Sequence, residues 1–154
     1  MHIDLTATSV PAKPRRCSLW LVGTALLTAS FLAQAEVAVV MSAKSAVEPL
    51  NKNQVSDIFM GKVTSFPSGG SAVPLDQMDT NAVREEFYTK VTGKSAAQVA
   101  AYWAKMSFTG KGTPPKEVAN SAEIKKQLAA NPNTIGYIEK SAVDESVKVL
   151  FIAP

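Results

Sequence analysis

The stretch 76–84, DQMDTNAVR, gathers the side chains of this chain that could hold a small anion. Thr80 and Asn81 offer a hydroxyl and an amide, and Arg84 adds a guanidinium one turn into the helix that this stretch opens. A helix N-terminus also presents unpaired backbone N–H groups and a partial positive charge, which suits phosphate or sulfate. The short strand expected over 72–75 runs into this turn, and ligands of open α/β sheets sit beyond the carboxyl ends of strands. Asp76 and Asp79 place negative charge at the same turn and oppose an anion. A second reading needs no ligand: Thr80 or Asn81 caps the helix, with Asp79 and Glu85 well placed for its dipole. The sequence leaves these two readings even. Ser42, Lys44 and Ser45 follow the first expected strand and could line the same crevice, or could be a solvated loop. The loop 109–113 (TGKGT) offers glycine backbone and Lys111, but it lacks the spacing and preceding strand of a P-loop and reads as a surface turn.

The elements that must position these residues begin after a targeting segment. Lys13, Arg15 and Arg16 precede an apolar run, 18–32 (SLWLVGTALLTASFL), too short to span a membrane comfortably, and Ala33-Gln34-Ala35 supplies a small-residue cleavage site. Residues 1–35 therefore read as a secretory signal peptide and 36–154 as the functional domain, expected in the periplasm. Cys17 lies before the apolar run, which argues against a lipoprotein.

Removing that segment changes the chemistry available. It holds three of the 16 basic residues and one of the 13 acidic ones, leaving 13 against 12, so no bulk basic charge points to nucleic acid. His2 and Cys17, the only histidine and the only cysteine, leave with it. The domain then has no base or nucleophile for a Ser-His-Asp or Cys-His device, no imidazole or thiolate for zinc, and no disulfide. No cofactor is expected. The acidic residues are scattered or paired on a helix face, as Glu85-Glu86 are, so an enzyme using carboxylates is the weaker hypothesis.

About 119 residues suffice for one domain with its own core. The run 36–41 (EVAVVM) reads as a buried strand, and 54–59 as a short helix capped by Asn51 or Asn53, with Gly61 at its C-terminal end. Helices follow over 81–91, with Val83, Phe87 and Val91 on one face, and over 96–106, capped by Ser95 and striped by Val99, Tyr102, Trp103 and Met106. Ser121 caps a helix to Ala130; 135–138 and 147–152 are strands. Strands alternating with helices imply an α/β domain whose mixed or largely parallel sheet is flanked by helices.

Several motifs, in order, resemble the periplasmic substrate-binding proteins of phosphate ABC transporters. QVSDIFMGK (54–62) is similar to that family's helix ending in D-I-F-x-G-K and is followed by an aromatic, Phe66; VREEF (83–87) resembles the helix after the anion-binding turn; NTIGYI (133–138) resembles the closing x-x-I-G-Y strand. The resemblance covers the domain but implies a single periplasmic-binding-protein-like lobe where full receptors have two. In the family the turn reads as arginine, a few residues, then Ser-Gly-Thr. Alignment on Arg84 to Phe87 puts Gln77 at the arginine position and Asn81-Ala82-Val83 at Ser-Gly-Thr, so the charge and both hydroxyls are absent. The resemblance implies a solute-binding protein for phosphate or a related oxyanion, with a membrane transporter or sensor as partner; the candidate ligand groups in this chain are Ser42, Gln77, Thr80, Asn81 and Arg84. A homodimer would rebuild a two-walled cleft. The alternative is an interaction module derived from a binding-protein lobe that has lost its ligand.

Overall fold

The computed structural model describes residues 36–154; the signal-peptide reading of 1–35 lies outside the described residues. The strands and helices follow in the order β1 (Val37–Ser42), α1 (Lys52–Phe59), β2 (Val73–Gln77), α2 (Ala82–Thr92), α3 (Ala96–Phe108), β3 (Lys116–Val118), α4 (Ser121–Ala130), β4 (Thr134–Glu139) and β5 (Val147–Ala153). The sheet order is β3-β2-β4-β1-β5. β2 runs parallel to both β3 and β4, whereas β1 is antiparallel to β4 and β5, so the sheet is mixed.

The sequence explains β1's interior place, between β4 and β5. All six of its residues are buried, as expected of an apolar strand covered on both faces. Alternate residues serve opposite layers: Val37, Val39 and Met41 pack with α1, α2 and α3, while Ala38 and Val40 pack with Ile124 and Leu128 of α4. Three helices thus cover one face and α4 the other. Among the described residues no helix is long and apolar enough to cross a membrane.

Local capping chemistry fixes the helix starts. Asn51, not Asn53, caps α1 in a reciprocal box with Gln54, and Ser95 does the same for α3 with Gln98. Asn120 caps α4, so Ser121, expected as the cap, is the first helical residue and its hydroxyl is free for other work. β3 was not expected: its three residues, two of them exposed, carry too little apolar pattern to read as a strand. The loop 109–113 closes α3, with Gly110 N–H donating to Ser107 O and Lys111 N–H to Met106 O. That matches the turn reading.

The end of α1 is locked to α3. Tyr102 Oη donates to Met60 O at 2.9 Å, and Gly61 takes φ +67 with the Trp103 ring against its Cα. A Cβ there would lie 2.5 Å from Trp103 Cη2. Gly61→Ala is therefore expected to lower stability by about 2 kcal/mol, combining left-handed strain with a ring clash. Urea denaturation reads this directly, and an unchanged midpoint would mean that Trp103 does not hold this turn.

Candidate functional site

β2, β3 and β4 are parallel, so their carboxyl ends, Gln77, Val118 and Glu139, lie at one edge of the sheet. α2 and α4 start just beyond β2 and β3, which brings two helix N-termini to the same mouth. A chain of polar contacts joins them. Asn81 caps α2 by accepting from Val83 N–H at 3.4 Å, and its amide donates to Gln77 Oε1. Gln77 Nε2 donates to Tyr137 O at 2.9 Å and to Ser121 Oγ at 3.3 Å, and Ser121 Oγ donates to Glu139 Oε2 at 2.6 Å. On the far side of the mouth Lys140 pairs with Glu36.

Beneath this surface lies a buried charge network. Asp76 is only 2% exposed, and its carboxylate accepts from Gln77 N–H at 2.9 Å, Tyr88 Oη at 2.8 Å, Tyr137 Oη and Arg84 Nε at 3.1 Å. Arg84, 4% exposed, turns inward from the first turn of α2. Its other nitrogens meet carboxylates that face solvent: Nη1 contacts Asp79, and Nη2 lies 3.7 Å from Glu117 Oε1. One guanidinium thus answers three carboxylates.

This arrangement moves the titrations in defined directions. Burial works against the charged guanidinium, but the Asp76 charge and hydrogen bond outweigh it and Arg84 is held above its ordinary value. Burial, reinforced by the Asp76 charge, pushes the Tyr88 and Tyr137 phenols far above theirs. Both hydroxyls are therefore donors at physiological pH.

Of the sequence-expected site residues, Gln77, Thr80, Asn81 and Arg84 come together at the mouth. Thr80 is exposed; Asn81 is half-buried and bonded as described; Gln77 is fully buried beneath them. Ser42 does not join this group. β1 runs against β4, with Val40 opposite Gly136, so Ser42 reaches the level where β2 and β4 begin. It is buried and accepts from Lys44 N–H, roughly 13 Å from Gln77 along the strand direction at about 3.3 Å per residue. The expectation that Ser42, Lys44 and Ser45 line the same crevice fails because β1 is antiparallel. Ser121, Glu139, Glu117, Tyr88 and Tyr137 were missed. For Tyr88 a signal existed: Arg84, Phe87, Tyr88 and Val91 share one helical face, which marks Arg84 as inward-facing.

This architecture matches solved structures. A protein described as a phosphate ABC transporter substrate-binding protein from Clostridium perfringens, with bound phosphate, superposes with a TM-score of 0.61 at 26% identity, covering 76% of this chain and 45% of that one. The chain is similar to one lobe of the phosphate-transport receptors. An ABC-type phosphate transport receptor from Vibrio cholerae gives a TM-score of 0.59 at 18% identity over 76% of this chain and 46% of its own, and PstS from Borrelia burgdorferi gives 0.55 at 10% over 76% and 50%. The chain spans about half the length of these proteins. No protein-family model and no curated protein matches the sequence. The resemblance read from QVSDIFMGK, VREEF and NTIGYI holds at the level of the lobe fold.

Two expected outcomes follow from the buried network. Asp76→Asn leaves Arg84 without its buried counter-charge and should cost about 3 kcal/mol, whereas Tyr88→Phe removes one donor and should cost about 1–2 kcal/mol. Equal losses in chemical denaturation would refute that ranking. For the phenols the sign is that of a raised folded-state value: the stabilisation is full below the ordinary phenol value of 10.0 and is lost as pH rises above it. In an alkaline titration the Tyr88 and Tyr137 phenolate absorbance should appear together with loss of circular dichroism. Smooth ionisation of both with the fold intact would contradict their burial on Asp76.

Proposed function

We propose that this chain is a periplasmic solute-binding protein built on one receptor lobe, and that it takes a small oxyanion, phosphate first, at the mouth formed by α2 and α4. The observation that carries this reading is the convergence of two helix N-termini at the carboxyl ends of parallel strands, with Thr80 exposed and Asn81 half-buried at the rim. The phosphate bound to the Clostridium perfringens protein supports the choice of ligand. In this reading Thr80 and Asn81 meet the ligand, Gln77 holds Asn81 in place, and Arg84 contributes its outer nitrogens. The role is binding and delivery to a membrane transporter or sensor, not catalysis. A second copy or another protein would supply the opposite wall.

A second reading has its own support. The carboxylates around Arg84 favour a lobe that serves as an interaction module without a ligand. Calorimetric titration of the purified protein with inorganic phosphate, with sulfate as competitor, separates the two. Saturable phosphate binding that weakens about tenfold in Thr80→Ala with Asn81→Ala supports the receptor reading. The cap lost with Asn81 costs about 1 kcal/mol and buried Gln77 Oε1, left without its donor, about 1–3 kcal/mol more, so circular dichroism must show the variant folded before its affinity is read. No heat from a folded protein at millimolar phosphate favours the interaction module.

A further inference from the structure

The mouth carries its own anions. Asp79 and Glu117, 73% and 52% exposed at the side chain, stand against the outer nitrogens of Arg84, and Glu139 accepts the Ser121 hydroxyl at the start of α4. The positive ends that would attract an oxyanion, the guanidinium and the α4 N-terminus, are each already facing a carboxylate of the chain. Arg84 Nη1 lies against the Asp79 carboxylate, whose side chain faces solvent, so any further acceptor at this nitrogen meets that carboxylate first. Asp76 differs from these three. It is buried, with four donors directed at it, and belongs to the core.

We propose that Asp79, Glu117 and Glu139 are affinity-determining residues that compete internally with an incoming oxyanion, so that the mouth binds weakly as built and tightens when they are neutralised. This rests on the reading of the mouth as an oxyanion site. The physical ground is that a dianion approaching Arg84 must displace Asp79 and Glu117 and then remain near both. Like charges within about 4 Å repel strongly in the reduced dielectric of a protein surface. At α4 the ligand must likewise take the Ser121 hydroxyl from Glu139. Neutral amides in place of these carboxylates keep size and hydrogen-bonding capacity while removing the competing charge.

The test compares phosphate affinity, by calorimetry, in four proteins: the wild type, Asp79→Asn with Glu117→Gln, Glu139→Gln, and Glu48→Gln with Glu145→Gln. Glu48 and Glu145 are exposed; Glu145 lies two residues before Val147, the partner of Ser42 at the opposite end of β1, Glu48 lies in the loop that follows that end, and the pair makes the same net charge change as the first double variant. Arg84 keeps Asp76 in every case, and circular dichroism checks the fold. The expected result is affinity raised about tenfold or more in the Asp79/Glu117 variant, raised less in Glu139→Gln, and unchanged in the distal pair. Equal affinity in all four, or an equal gain in the distal pair, overturns internal competition while leaving the oxyanion site standing. Absence of phosphate binding in all four, with each folded, overturns the site itself and this inference with it.

Discussion

The Asp76 carboxylate is the contact on which the rest of this lobe depends. It comes from the next-to-last position of β2, where a buried strand residue would ordinarily be apolar, and it is acceptable there because four donors surround it: two phenols, a guanidinium and a backbone N–H. Those donors come from three elements. Tyr137 belongs to β4, Arg84 and Tyr88 to α2, and Gln77 to β2 itself. Satisfying one buried charge therefore fixes where α2 sits on the sheet. The apolar side of the same elements agrees: Phe87 stacks on Tyr137 with centroids 4.0 Å apart and rings nearly parallel, and Phe59 of α1 packs edgewise on Phe87 at 4.7 Å. Polar and aromatic contacts specify one docking of α2.

β1 sets the second constraint. It lies between β4 and β5, pairing Val37 with both Glu139 and Ala153, so the first described strand is closed in by the last two. An interior strand of the sheet is thus completed by the pairings of greatest sequence separation, which carry the highest loop-closure cost. Because β1 alone among the strands flanking it is reversed, it also decides which loops share an edge. The loop after β1 goes to the end of the sheet opposite the mouth. A reader of the sequence who places every post-strand loop at one edge, as an all-parallel sheet would allow, assigns Ser42 to the wrong end.

What the sequence made legible follows the strength of local signals. The helices came through because capping residues and apolar spacing are written within a few positions: Asn51 with Gln54, Ser95 with Gln98, and the Val83-Phe87-Val91 face. The strands β1, β4 and β5 came through as apolar runs. β3 was invisible because Lys116 and Glu117 face solvent and only Val118 is buried. The turn 76–84 was recognised as the place where chemistry concentrates, but not the direction of its charges. Arg84 read as a donor to a ligand because its partners are spread from Asp76 to Glu117, and only the fold brings them together. Ser121 read as a cap because two capping residues stand side by side, and the structure gives that task to Asn120.

The same wiring bears on how a binding lobe can be tuned. A guanidinium that waits for a ligand in a dry site must be stabilised by something before the ligand arrives, or its desolvation is uncompensated. Here Asp76 meets that need from within the core, which makes Arg84 a structural residue first. A ligand can then draw only on the nitrogens that Asp76 leaves, and only against the two carboxylates that face them. On the proposed reading, affinity at this mouth is set by the balance between the Arg84 guanidinium and the carboxylates that face it. Under that proposal the exposed acids, and not the buried arginine, are the positions where a few substitutions would change binding while leaving the fold alone.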